Sequence, residues 1–221
     1  MDVRVLTHPY VQAVLTELRD RSTGQIEFRK SLVRLGRAIG FEIIRDFELE
    51  RVTVETPLGV CAEGVKIKDL DRVLIVTVLR AAWPMTEGLI KIFPRARQGI
   101  ISARRVEERG MKENMSFDVD VEYVRLPSVS TEDVIIIVDP MVATGSTIET
   151  VLKILNKHGK GKRYIIASAI TTPVAIDRIR RAGEDLGLNM TMYTAAIDPQ
   201  INEKGYIVPG LGDAGDRAFG G

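Results

Sequence analysis

Apolar residues recur along the first third of the chain at steps of three and four: Phe28, Leu32, Leu35, Ile39 and Ile43. That spacing places them on one stripe and predicts an amphipathic helix. Its other face carries Arg29, Lys30, Arg34 and Arg37. Such a face is either simply solvated or, since Lys30, Arg34 and Arg37 share one side, a subsite for an anion. From Arg51 the period changes to two, with Val52 and Val54 set against Thr53 and Glu55 before a Pro57-Leu58-Gly59 turn. Val73–Leu79, Val134–Val138 and Tyr164–Ile170 are apolar runs of strand length, the pattern of parallel strands buried on both faces. Helical spacing returns between them: Met85, Leu89 and Phe93; Ile148, Val151, Leu152 and Leu155; then Val174, Ile176, Ile179 and Arg180. Strands alternating with helices predict an α/β fold with right-handed crossovers.

Two stretches break this rhythm. Residues 104–120 hold Arg105, Glu107, Glu108, Arg109, Lys112 and Glu113 around Gly110, and are expected to form a mobile arm. Residues 198–221 contain six glycines and two prolines without a helical period, which suggests a functional loop. No repeat or linker interrupts the chain, so residues 1–221 are expected to form a single domain with a helical region over 1–50.

Composition narrows the function. The 31 basic and 30 acidic side chains leave a net charge of +1, so neither nucleic acid nor an anionic membrane is an expected partner. A lone Cys61 and the distant His8 and His158 exclude an intrachain disulfide and a cysteine-based metal cluster. The amino terminus carries Asp2 and Arg4 and shows no apolar stretch of the kind a signal peptide needs, and a cytoplasmic location is expected.

The candidate chemistry starts at Val134–Val138, a strand that delivers Asp139 to its carboxyl end, where open α/β sheets bind ligands. Pro140, Met141, Val142 and Ala143 then turn toward Thr144, Gly145, Ser146 and Thr147, which open a helix. The helix amino end and three hydroxyls make an anion site, and Gly145 allows close approach. An acid beside that site suits a ribose 5-phosphate, with Asp139 accepting from the ribose hydroxyls. The plainer alternative is a helix capped by Thr144 or Ser146. A nucleotide triphosphatase loop is ruled out because the motif's lysine is absent. Gly210, Gly212 and Gly215 match the dinucleotide fingerprint by letter, but only six residues follow Gly215, too few for the βαβ unit it requires. These glycines are instead expected to bring backbone close to a flat ligand that Asp213 faces.

The 139–147 loop resembles the 5-phosphoribosyl-1-diphosphate (PRPP) motif of type I phosphoribosyltransferases, and its Asp-Pro-Met-x-Ala-Thr-Gly form resembles that of uracil phosphoribosyltransferases. Leu79-Arg80-Ala81, Arg105 with Glu107 and Glu108, and the block from Asn202 to Asp216 match the same family in the same order. The last block is the most specific. The resemblance implies a mostly parallel sheet flanked by helices, a β-arm and a carboxy-terminal hood loop over the base. It further implies transfer of the phosphoribosyl group of PRPP to uracil, giving UMP and diphosphate. Arg80 and Arg105 would then meet the diphosphate. Backbone at Ile207 and from Gly212 to Ala214 would contact uracil, and Asp213 the diphosphate or its metal. Mg²⁺ would be carried by PRPP without a dedicated protein cage, and the family assembles as dimers and tetramers. Some archaeal members are activated by GTP, which gives Lys30, Ser31, Leu32, Val33, Arg34 and Arg37 a candidate effector. Ala82 and Ser146 stand where bacterial members have glycine, so loop geometry there is expected to differ. A phosphoribosyltransferase for another base and a non-catalytic PRPP- or UMP-binding regulator are the rival readings.

Overall fold

The apolar runs form the centre of a computed structural model that describes residues 1–221, the side chain of Glu107 excepted. β1 (Asp2–Val5) leads into α1 (Pro9–Arg19) and α2 (Gln25–Ile44), followed by a hairpin of β2 (Leu49–Glu55) and β3 (Cys61–Ile67). Next come β4 (Val73–Leu79), α3 (Ala82–Ile90) and the pair β5 (Arg97–Arg105) and β6 (Val119–Arg125). β7 (Val134–Val138), the two-residue β8 (Met141–Val142) and α4 (Ser146–His158) carry the loop that follows Asp139. Then follow β9 (Arg163–Thr171), α5 (Pro173–Asp185), β10 (Met190–Ile197), β11 (Gln200–Ile201), β12 (Ile207–Val208) and α6 (Ala214–Phe219).

The main sheet runs β1-β10-β9-β7-β4-β5-β6, with β8 beside β9. It is parallel except for the antiparallel β5–β6 pair. Alternate residues of each central strand serve opposite faces. Ile75, Ile136 and Ile165 lie in register and pack toward α1, α2, α3 and α6. Their neighbours Val76, Ile137 and Ile166 pack toward α4 and α5. Each such side chain contributes roughly 1.5–3 kcal/mol by burial. The α2 stripe is buried at every residue expected: Phe28, Leu32, Leu35, Ile39 and Ile43 are all 0% exposed.

Two glycines let α2 and α3 touch backbone to backbone. A Cβ at Gly36 would lie 2.0 Å from the Met85 carbonyl oxygen, and one at Gly88 would lie 2.1 Å from that of Val33. The β2–β3 hairpin, by contrast, is a pair of strands with neither face buried, since Leu49, Val54, Leu58, Val60 and Val65 are all exposed. Residues 104–120 are not wholly a loop: β5 and β6 reach into both ends of the segment, with a bulge at Ser102/Ala103. The glycine-rich tail also departs from expectation, because Asp213 caps the short helix α6 through a bond from the Asp216 N–H. Among the described residues, no helix is long and apolar enough to cross a membrane.

Candidate active site

The carboxyl ends of β4, β5 and β7 open into a cavity of about 380 Å³. Its walls bring together segments distant in sequence: Leu79–Ala81, Ser102–Arg105, Asp139, Met141–Gly145 with Thr147, Gly205–Ile207 and Gly212–Gly215. Arg80, Arg105, Asp139, Asp213, Thr144, Thr147, Ile207, Gly212 and Ala214 therefore all line one space. Pro140 and Ser146 are absent from its lining. The Pro140 carbonyl accepts from the N–H groups of Ala169 and Ile170, and the Ser146 hydroxyl is turned toward the arm.

Asp139 ends the central strand, and its Oδ1 accepts the Met141 N–H at 3.1 Å. Dense burial pushes its carboxyl up to about 6, because a charge there loses water; the Met141 bond and nearby Arg105 oppose this without cancelling it. The loop then turns at Gly145, whose φ of +79 is left-handed. Gly145 itself is the residue that caps α4, with no side-chain cap, so neither Thr144 nor Ser146 caps the helix as the plainer alternative held. The first turn of α4 presents N–H groups that no earlier carbonyl of the helix can accept, together with the positive end of its dipole. That end of the helix suits a phosphate.

The arm lies down on this loop. The Phe117 N–H donates to Ser146 Oγ at 3.1 Å, and Ser146 Oγ is 3.1 Å from Thr144 Oγ1. Arg178 of α5 donates Nε to the Thr144 carbonyl and Nη2 to the Asn114 carbonyl, both at 2.7 Å. On the opposite wall, Arg105 donates Nη1 to the Gly205 carbonyl at 2.8 Å. Its guanidinium stands 5.0 Å from the Phe117 ring centroid and 5.6 Å from that of Tyr206, within cation–π range. Arg80 is largely exposed and donates Nη2 to Asp216 Oδ1 at 3.2 Å, an ion pair of the weak surface kind that an anionic ligand can displace. Phe117 lies in the 104–120 arm and Tyr206 in the Asn202–Asp216 block without being singled out in either, and no local signal marks Arg178.

Ala82 and Ser146 are the first residues of α3 and α4, where right-handed backbone suits any L-residue. The glycine they replace is not needed at either place. The basic helix is more mixed. Ser31 and Leu32 are fully buried, so neither can touch a ligand. Arg34 pairs with Glu17, to which Ser31 also donates at 2.9 Å, and Lys30 lies 3.5 Å from Glu27. A second pocket of about 300 Å³ sits between α1 and α2, lined by His8, Tyr10, Val11, Arg34, Arg37, Ala38, Phe41 and Glu42. It takes in Arg34 and Arg37 but not Lys30 or Val33.

Comparison with known proteins gives the same picture from outside. The family model described as uracil phosphoribosyltransferase matches residues 5–221. Uracil phosphoribosyltransferase of Pyrobaculum arsenaticum is 50% identical over 219 residues, covering 99% of each chain. That of Metallosphaera sedula is 48% identical over 220 residues and covers both chains completely. Among solved structures, the AQ2163 protein of Aquifex aeolicus superposes with a TM-score of 0.84 at 30% identity, over 99% of this chain and 98% of that one. The adenine phosphoribosyl transferase of Trypanosoma brucei shares the fold at a TM-score of 0.52 and 10% identity, over 87% of this chain and 82% of that one.

Proposed function

Because the chain belongs to the uracil phosphoribosyltransferase family, we propose that the cavity at the carboxyl ends of its strands is the place where PRPP and uracil react. The reaction is transfer of the 5-phosphoribosyl group to uracil, giving UMP and diphosphate. One observation carries the placement. An acid at a strand end, a helix amino end, two arginines and a glycine loop converge on a single cavity. In this reading the α4 amino end with Thr144 and Thr147 holds the 5-phosphate, and Asp139 accepts from the ribose hydroxyls. Arg80 and Arg105 neutralise the departing diphosphate, which favours charge development at C1 of the ribose. Main chain at Ile207 and Gly212–Ala214 meets the alternating carbonyls and N–H groups of uracil. Cytosine reverses one of those pairs and leaves buried groups unmatched.

Among the described residues, no group of three or more His, Cys, Asp or Glu is arranged to hold a metal ion. The oxygen donors present suit Mg²⁺ brought in by PRPP, with the Asp213 carboxylate at the cavity wall as the protein's contribution. When bound, Mg²⁺ supplies positive charge against the diphosphate. Asp213 is also held by structure, since its Oδ2 lies 3.4 Å from the Tyr206 hydroxyl.

GTP is proposed to occupy the groove between α1 and α2. Arg34 and Arg37 there can meet phosphates, and the half-exposed Tyr10 and Phe41 offer apolar faces to a base. Assembly into a dimer or tetramer is proposed on the exposed apolar residues of the β2–β3 hairpin, and sedimentation measures it. The defining experiment is UMP formation from PRPP and uracil, beside cytosine and orotate controls and across a GTP titration. Turnover of orotate in place of uracil would overturn the base assignment, and a flat GTP response the effector.

The raised Asp139 carboxyl sets a pH dependence. The carboxylate can accept from two ribose hydroxyls and holds each more strongly than the protonated acid can, so kcat/KM for PRPP should fall as pH drops through about 6. The 5-phosphate of the substrate also titrates near pH 6. The comparison is therefore with Asp139→Asn, whose profile should lack the additional acid limb. Identical profiles would remove Asp139 from the ribose.

A further inference from the structure

Asp198 follows β10 and is only 3% exposed, although it is a carboxylate. Three N–H groups converge on its two oxygens. Arg19, in the last turn of α1, donates Nη2 to Oδ1 at 2.6 Å and Nη1 to Oδ2 at 2.8 Å. The Gly210 N–H donates to the same Oδ2 at 2.8 Å. Arg19 Nη1 also donates to the Gly210 carbonyl at 2.7 Å. Both polar groups of one glycine thus end on one ion pair whose carboxylate is buried. Gly210 has a φ of +64, and a Cβ there would lie 2.1 Å from the Ile207 carbonyl oxygen, so the loop is folded tightly on itself at this point. A second strut stands nearby. Arg217 donates to the Leu211 carbonyl at 2.8 Å and to the Asp20 carbonyl at 2.6 Å, with its guanidinium 4.2 Å from the Phe28 ring centroid.

We infer that Arg19 and Asp198 are positioning residues for base recognition, holding Gly210 so that main chain at Ile207 and Gly212–Ala214 keeps the spacing of a uracil edge. The inference rests on the reading that this loop takes uracil. Neither side chain lines the cavity, so both act through the loop and not on substrate. The arrangement explains how a glycine-rich segment can be selective. A loop that reads its ligand through main-chain N–H and C=O groups has no side chain to adjust, and hydrogen bonds weaken steeply when their angle is lost. Selectivity then depends on whatever holds the backbone still. A carboxylate with both oxygens met does so firmly, and removing Arg19 leaves the charge of Asp198 buried without its partner.

The test uses Arg19→Lys and Asp198→Asn, with steady-state kinetics in which uracil and PRPP are varied separately and cytosine is offered as an alternative base. Lysine keeps the charge but lacks the fork that spans both carboxylate oxygens and the Gly210 carbonyl. Asparagine keeps the shape but sets an N–H against an N–H. Both variants should raise KM for uracil about tenfold or more, because misplaced main-chain partners cost about a kilocalorie or more per bond. KM for PRPP should stay within about twofold, and the preference for uracil over cytosine should narrow. A purely structural role would lower the active fraction, and with it kcat, while leaving both KM values in place. Arg19→Lys, the milder change, decides the matter if Asp198→Asn does not fold. An unchanged KM for uracil, or equal rises for both substrates, would overturn the inference. If the wild-type enzyme itself makes no UMP from uracil, it is the base assignment that fails; wild-type turnover with unaltered variants fails only the positioning role.

Discussion

Asp139→Asn is expected to lower kcat/KM for PRPP by about 100-fold or more while leaving the empty protein no less stable. Hydrogen bonds to a charged group contribute about 1.5–3 kcal/mol each, and in the proposed reading the carboxylate accepts from two ribose hydroxyls. Asparagine can still accept one of them, so a loss of roughly 3 kcal/mol remains, and every 1.36 kcal/mol is tenfold in rate. Stability should move the other way. The Asp139 carboxyl titrates at about 6 in the folded protein against an ordinary value of 3.8. Its charge therefore disfavours folding, an effect absent below the ordinary value and complete above about pH 6. A neutral amide removes that burden at neutral pH, so the melting temperature of the variant should match or exceed the wild type. Kinetics and melting curves together check this. Wild-type kinetics in the variant would end the ribose role.

Gly36→Ala should destabilise the protein by about 1–3 kcal/mol, against the direction of helix propensity. Alanine is a better helix former than glycine by about 1 kcal/mol, and at an exposed position the change would stabilise α2. Here the new Cβ would sit 2.0 Å from the Met85 carbonyl oxygen and 2.9 Å from its carbon. Those atoms are backbone, so no side chain can swing aside; α2 and α3 must separate. Separation opens the packing of Leu32, Leu35, Met85 and Leu89, all fully buried, and overpacking of this kind costs about 1–3 kcal/mol or more. Because α3 begins two residues after Arg80, the diphosphate turn should shift too, and kcat should fall along with stability. Urea unfolding measures the first effect. A variant more stable than wild type would show that the two backbones are not in contact.

Gly36 and Gly88 illustrate what a single sequence withholds. Each reads as a weak point within a helical pattern, and nothing near either names its partner on the other helix. The central strands were legible because burial on both faces writes itself as an apolar run with at most one small hydroxyl residue, Thr77 in β4 and Ser168 in β9; β4 and β7 begin and end where the runs do. β10 was not singled out, since Thr191 and Thr194 interrupt its apolar residues and are buried all the same. β5 and β6 were partly hidden by charge. Their Arg104 reaches Glu122 and Asp120 across the hairpin at the exposed edge, a pairing that looks like loop composition when read one residue at a time. The site divides similarly. Its phosphate and glycine loops are contiguous motifs and were visible, whereas Arg178 meets its partners at Thr144 and Asn114 only through the fold. The effector set was drawn too widely along α2, because consecutive residues of a helix do not share a face: Ser31 and Leu32 point inward.

The sheet order also fixes a history for every molecule made. β1, the first strand to leave the ribosome, pairs in parallel with β10, which leaves after all the other strands of the main sheet. Synthesis delivers β4, β7, β9 and the Asp139–Thr147 loop while β1 still waits for its neighbour, and a domain folds as a unit, so the sheet is complete only once β10 is made. Residues 198–219 arrive later again, and Gly210 and Arg217 must then find Arg19 and the Leu18 carbonyl of α1, translated near the start. The β1 edge of the main sheet and the glycine-rich loop thus reach their places together, at the end of translation.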